Sequence, residues 1–258
     1  MIDFLTAIRG VDRSWQNPAA TWMAWLAIPA LGFVLLCSGA GLAEETATDA
    51  NIVTGLDISY SISPEEMQFE IAGLARAIRS PEVLRAIQAG RYRRIGFAVF
   101  AWHHNQFPVV VAWTIIASEA DASTVSRMIA DRLRVDVETE ARKKEVYFIG
   151  RLTDLSQAID HATELLRAAP FAGSRSVVNI IGNGADNVGE DAGFARDRFV
   201  AAGGTVNGVV LGGDASAIEY YRQQVIGGPG SFVMSTGEAA TLAQVLTRKF
   251  LHDIIAGQ

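Results

Sequence analysis

The sequence predicts an α/β protein whose central sheet is mostly parallel and covered by helices on both faces. Three observations carry this reading. Short apolar runs at Asn51–Asp57, Arg94–Trp102, Ser176–Gly182 and Thr205–Leu211 alternate with segments of helical periodicity. Two of these runs, Asn51–Asp57 and Ser176–Gly182, each lead through a polar loop into a helix, the strand-to-helix unit of open α/β sheets. The runs Arg94–Trp102 and Phe107–Thr114 are separated only by His103-His104-Asn105-Gln106, the length of a hairpin loop, so this pair is expected to be antiparallel.

In order along the chain, the run from Asn51 ends in Asp57, Ser59 and Ser61 at alternate positions. Ser63-Pro64-Glu65-Glu66 then matches a capping box with proline at the first helical position, which predicts a helix from there to about Arg79. Ser80-Pro81-Glu82 opens a second short helix reaching about Ala89, with Gly90 as its stop. Asp121–Leu133 is helical, and the charged segment Arg134–Glu145 is a solvated loop or an extension of that helix. The apolar spacing of Leu155, Ala158, Ile159, Ala162, Leu165 and Leu166 marks an amphipathic helix ending near Pro170, with Thr153 and Asp154 at its N-terminus. After the strand Ser176–Gly182 come a polar loop, Gly182-Asn183-Gly184-Ala185-Asp186-Asn187, and a helix from about Asp191 to Ala202. Thr205–Leu211 is a strand, Ala215–Val225 a helix, Ser231–Ser235 a last strand and Gly237–Ile255 the closing helix. Gly227-Gly228-Pro229-Gly230 falls between a helix and the following strand, so it belongs at the opposite end of the sheet from Asp57 and reads as a glycine turn.

The first 43 residues stand apart. Trp22–Cys37 is an uninterrupted apolar stretch, short for a bilayer span and of the order of a secretory h-region, followed by Ser38-Gly39-Ala40-Gly41-Leu42-Ala43. The expectation is a signal peptide over 1–43, or an N-terminal membrane segment if it is not cleaved, and one folded domain over 44–258. Cleavage after Ala43 implies a periplasmic or secreted protein, and an intact leader implies anchoring in the inner membrane. Cys37 is the only cysteine of the 258 residues, so the folded domain has neither disulfides nor thiolate metal sites. The formal charge of −6 argues against a nucleic-acid partner, which calls for a basic face.

Chemistry concentrates at the first strand end. Asp57, Ser59 and Ser61 put oxygen-bearing side chains on a strand-to-helix turn, where open sheets hold ligands. Hard divalent cations take such carboxylate, hydroxyl and water oxygens. Taken alone, the same residues read first as a tight turn stabilised by local hydrogen bonds. His103 and His104 read as a hairpin tip, because adjacent strand residues point in opposite directions. His161 and His252 fall in helices as ordinary surface or boundary residues.

Taken together, the Asp-x-Ser-x-Ser turn at Asp57–Ser61, Thr153 before a later helix, and the polar glycine loop after the next strand resemble the von Willebrand factor A domain with its metal-ion-dependent adhesion site. The chain is especially similar to a bacterial, exported, stand-alone group of such domains classed as a domain of unknown function. The shared stretches are Pro64-Glu65-Glu66-Met67, Arg79-Ser80-Pro81-Glu82-Val83, Ala169-Pro170-Phe171-Ala172-Gly173, and Tyr220-Tyr221 leading to Val225-Ile226-Gly227-Gly228-Pro229-Gly230. The resemblance implies a Rossmann-like fold with one antiparallel edge strand. It also implies a site for Mg²⁺, Mn²⁺ or Ca²⁺ at Asp57, Ser59, Ser61, Thr153 and Asn183. Where that pattern has an aspartate, this chain has Asn183, which removes a charge and implies weak or absent metal binding, with Asp154 and Asp186 as nearby acids.

The function expected from this reading is non-enzymatic binding of a protein partner that offers a carboxylate to the cation. The membrane enters only through the N-terminal segment. The rival classes are a hydrolase using the Asp/Ser site and a structural or assembly protein with a vestigial site. A phosphatase of the haloacid-dehalogenase type wants a second aspartate where Ser59 stands, and the Gly-x-Ser-x-Gly of a serine hydrolase is absent. Neither the Walker spacing nor Gly-x-Gly-x-x-Gly follows the glycine loop.

Overall fold

The computed structural model describes residues 45–59, 64–103, 106–143, 153–236 and 242–255. The leader over 1–43, Ser61, the cap Ser63 and His104 lie outside these residues. Strands β1 (Thr46–Thr48) and β2 (Asn51–Asp57) are followed by helices α1 (Pro64–Ile78) and α2 (Pro81–Ala89). The hairpin β3 (Ile95–Trp102) and β4 (Val109–Ile116) leads into α3 (Glu119–Lys143). Then come α4 (Leu155–Arg167), β5 (Phe171–Gly173), β6 (Ser176–Gly182), α5 (Ala192–Ala201) and β7 (Thr205–Val210). Helix α6 (Ala215–Tyr220) runs into a π-helical turn (Tyr221–Val225), and β8 (Val233–Ser235) and α7 (Leu242–Ile255) close the fold.

The central sheet has the order β4-β3-β2-β6-β7-β8. Every neighbouring pair is parallel except β3 with β4, so the antiparallel strand sits at an edge as expected. Strand β2 is central and buried at every position. Chain order reverses on either side of it, which makes the C-terminal end of β2 and β6 the switch point where such sheets bind ligands.

Apolar side chains fill both faces. Met67, Ile71 and Leu74 of α1, Val125 and Ile129 of α3 and Leu246 and Phe250 of α7 pack on one side. Leu155, Ile159 and Ala162 of α4, Phe199 of α5 and Tyr221 pack on the other.

The charged stretch after Leu133 takes the second of its two expected forms and extends α3 as far as Lys143. Some details differ from the sequence expectation. Strand β8 begins at Val233 rather than Ser231. The three-residue strands β1 and β5 form a small parallel sheet of their own that sequence periodicity does not reveal. Gly90 does stop α2, but with φ −67 it is not left-handed. Glycine is required there because a Cβ would meet Asp49 Oδ2 at 2.3 Å, and the Asp49 carboxylate accepts from the Tyr92 amide at 2.9 Å. The Gly227–Gly230 turn lies beside the N-terminal half of β7, through mutual hydrogen bonds between Val206 and Gly227, at the end of the sheet away from Asp57. Gly228 has φ +89 and faces the Gly204 carbonyl, so a side chain there is excluded twice over.

Helix α7 is pinned to the sheet by a charge pair hidden in the core. Lys249 and Asp253 are 0% and 2% exposed, with Nζ 2.7 Å from Oδ2. Asn179 of β6 donates to the same oxygen at 3.0 Å, and Asn207 of β7 donates to Oδ1 at 2.9 Å. Arg175 donates to the carbonyls of Asp253 at 2.5 Å and Ile254 at 3.0 Å, satisfying acceptors that a helix end leaves open. Removing one partner of a buried pair strands the other charge, at about 3–5 kcal/mol. Asp253→Ala is therefore expected to lower unfolding stability by that amount in equilibrium urea denaturation.

Candidate metal centre

The site is built where β2 and β6 end side by side. Their register runs to Leu56 opposite Ile181, which places Asp57 beside Gly182 and the loop that begins with Asn183. Asp57 is completely buried. Its Oδ1 accepts from the Ser59 amide at 2.8 Å, and its Oδ2 has no hydrogen-bond partner. Ser59 is itself buried, on the turn leaving the strand.

Thr153 reaches the same end of the sheet from the segment before α4. A two-way clamp holds it to the β6 loop: its amide donates to Asn187 Oδ1 at 2.9 Å, and the Asn187 amide donates to its carbonyl at 3.1 Å. Asn183 stands at the start of that loop, in the wall of a cavity of about 300 Å³ whose lining includes Phe69, Glu70, Leu211, Thr236 and Leu242. Glu70 is a buried carboxylate, so the cavity joins apolar walls to one acid.

The two neighbouring acids have separate tasks. Asp154 caps α4, accepting from the Gln157 amide at 3.0 Å and the Ser156 hydroxyl at 2.9 Å, and also from the Gln157 side chain. Its carboxylate is taken up by the helix start and does not replace the charge missing at Asn183. Asp186 accepts from the Leu155 amide, also at the start of α4. Burial raises Asp186 to about 6 against the lowering effect of that amide, and the charge of Asp154 adds to the rise.

The described histidines fall where the sequence placed them. His161 is partly buried and stacks on Phe107 at 4.7 Å, with the edge of Phe100 4.9 Å away, so it packs the second core. His252 lies 4.4 Å from the Phe232 ring. His103 pairs with Gln106 across the hairpin tip.

The residues present fit a hard cation. Asp57, Ser59, Thr153 and Asn183 all offer oxygen, and one oxygen of the carboxylate is buried with nothing to bind. Among the described residues no three His, Cys, Asp or Glu side chains cluster as a metal site, so an ion here would draw on hydroxyl and amide oxygens beside the Asp57 carboxylate.

Burial raises Asp57 from 3.8 to about 6, outweighing the hydrogen bonds from Ser59 that favour the charged form. The folded protein therefore holds a proton on this group that the unfolded chain releases near pH 4. The metal-free protein loses stability as pH rises from about 4 to 6 and does not regain it above. Asp57→Asn should accordingly raise metal-free stability at pH 7.5, by up to about 3 kcal/mol at 1.36 kcal/mol per pKa unit. The difference should vanish below pH 4, which thermal unfolding across pH 3.5–8 would test.

A family model described as "Protein of unknown function (DUF1194)" matches residues 47–258. No curated protein matches the chain. Among solved structures, proximal thread matrix protein 1 (PTMP1) from the mussel byssus, in its crystal form 2, is 17% identical with a TM-score of 0.54. That match covers 83% of this chain and 50% of the mussel protein. The same mussel protein with a zinc-occupied MIDAS motif is 18% identical with a TM-score of 0.53, again over 83% of this chain and 50% of the other. The SpRpn10 VWA domain is 12% identical with a TM-score of 0.47, over 79% of this chain and 95% of that domain. The chain thus spans about half the length of the mussel protein, and at these identities the likeness is one of fold. The chain belongs to the family described as Protein of unknown function (DUF1194), and its fold is that of a von Willebrand factor A domain.

Proposed function

We propose that this protein is an exported von Willebrand factor A module that binds a protein partner through a degenerate metal-ion-dependent adhesion site. The observation that carries the proposal is the Asp57 carboxylate, wholly buried at the switch point with Oδ2 unpartnered. A buried carboxylate without a counter-charge is costly, and a bound cation offsets that cost. Asp57, Ser59, Ser61, Thr153 and Asn183 would hold Mg²⁺, Mn²⁺ or Ca²⁺. An ion held by these residues would supply the positive charge that a carboxylate of the partner meets. The cavity beside Asn183 gives the partner's neighbouring side chains room. The mussel protein with its zinc-occupied MIDAS motif supports the reading as an instance of an ion on this fold. Export rests on the leader sequence. The module is taken as non-enzymatic because the sequence lacks the nucleophile motifs of hydrolases.

A second reading, an assembly protein whose site no longer takes an ion, is favoured by one feature. Asn183 removes a charge and Asp154 does not restore it.

The substitution Asn183→Asp separates the two. On the adhesion-site reading it adds a charge beside the ion and tightens Mg²⁺ and Mn²⁺ binding on the order of tenfold. Ligand at a hundred times its Kd stabilises a fold by about 2.7 kcal/mol, so thermal shifts report the change. In metal-free buffer the same variant should be no more stable than the natural chain, because two carboxylates then face each other unscreened. Equal midpoints for both proteins with and without metal would exclude a cation at Asn183.

A further inference from the structure

Tyr220 and Tyr221 end α6 and open the π turn, whose closing hydrogen bond runs from the Ile226 amide to the Tyr221 carbonyl at 3.0 Å. Tyr221 is completely buried, and its ring lies across the sheet in a trough made by two strand glycines. A Cβ at Gly208 of β7 would meet Tyr221 Cδ1 at 2.6 Å. A Cβ at Gly182 of β6 would meet Tyr221 Oη at 2.7 Å and Asp57 Oδ2 at 3.1 Å. The phenol therefore passes over β7 and β6 and ends at the carboxylate of β2, and only glycine at 182 leaves the two groups open to each other. Both facing atoms, Tyr221 Oη and Asp57 Oδ2, are buried without a hydrogen-bond partner. Buried polar groups are satisfied in most proteins, so two facing orphans at a candidate site call for a functional account. Burial, then the charges of Asp57 and Asp186, hold the phenol well above its ordinary range, so it remains a donor. Tyr220 faces the other acid of the site, within hydrogen-bonding reach of Asp186.

We propose that Tyr221 is a positioning residue of the cation site. Its hydroxyl faces Asp57 Oδ2 without a hydrogen bond to it, and on our assignment it closes on that oxygen when the carboxylate takes an ion, so that with Ser59 N on Oδ1 it fixes the carboxylate. A carboxylate has about four lone-pair sites, so Oδ2 can accept from the tyrosine and still face a cation. The assignment gives a role to the paired tyrosines and to Gly182. It rests on the cation reading of the preceding subsection.

The test is Mn²⁺ titration of the full chain and its Tyr221→Phe variant, beside metal-free thermal unfolding of Tyr221→Phe, Asp57→Asn and the double variant. Outer partners of metal ligands are worth about 10–100-fold in affinity. Tyr221→Phe should therefore weaken Mn²⁺ binding by at least about tenfold. It removes only an orphan hydroxyl, so the metal-free midpoint should not fall. In the cycle the effect of Tyr221→Phe should change when Asp57→Asn is already in place, as expected of groups in contact. Gly182→Ala, which drives a methyl between the two groups, should weaken Mn²⁺ in the same way. A natural chain that binds Mn²⁺, a Tyr221→Phe variant that binds it equally well and an additive cycle would overturn the role of Tyr221 alone. A natural chain that takes up no Mn²⁺ would overturn the cation reading and this assignment with it.

Discussion

The arrangement turns on one carboxylate at the end of the central strand, cut off from water on every side. Asp57 is fully buried because β2 is flanked by β3 and β6 and covered by helices on both faces. The fold could close that position with an apolar residue at lower cost, since a buried charge without a partner is among the more expensive features a core can carry. The surrounding residues answer only half of the demand. Ser59 supplies one amide to Oδ1, and Oδ2 is left with the Tyr221 hydroxyl opposite. The cation we propose at the strand ends would balance the charge, and Asn187 ties the segment carrying Thr153 to the β6 loop at that end of the sheet.

The rest of the structure makes this tolerable by fixing the elements on either side. On one face, the Lys249–Asp253 pair and its asparagine partners bind α7 to β6 and β7, so the strand that leads into the Asn183 loop is tied to α7 at Asn179. On the other face, Asp154 and Asp186 both accept amides at the start of α4, and Asn187 ties Thr153 to the β6 loop. The two faces use the same chemistry with different results. The α7 network pairs its buried charges and gains rigidity. The Asp57 end leaves one carboxylate oxygen without a partner, which is the feature the proposed cation would answer.

Most of the architecture was legible in the sequence because it follows from period and punctuation. The apolar runs of β2 and β6, the Pro64 and Pro81 helix starts and the hairpin spacing all mark elements that the structure contains. What escaped depends on tertiary contact. Strands β1 and β5 are three residues each and pair only with one another, too short to show alternation. Lys249 and Asp253 stand at i and i+4 on a helix, the usual mark of a solvated face, yet they point inward because Asn179 and Asn207 meet them from the sheet. Asp57 was legible as a candidate from Asp-x-Ser-x-Ser, but its burial and its approach to Tyr221 were not. Those depend on Gly182 and Gly208, whose role appears only when strands are laid side by side. The spacing of Tyr220 and Tyr221 before the glycine turn was the one available signal, and it carried no direction.

The most direct test is to count the ion. Electron paramagnetic resonance of free Mn²⁺, titrated into metal-free protein, measures how many ions each chain removes from solution. One saturable ion per chain, displaced by Mg²⁺ and lost in Asp57→Asn, is the result predicted here. No uptake, or equal uptake by the Asp57→Asn variant and the natural chain, would contradict the claim that the buried carboxylate of β2 exists to hold a cation.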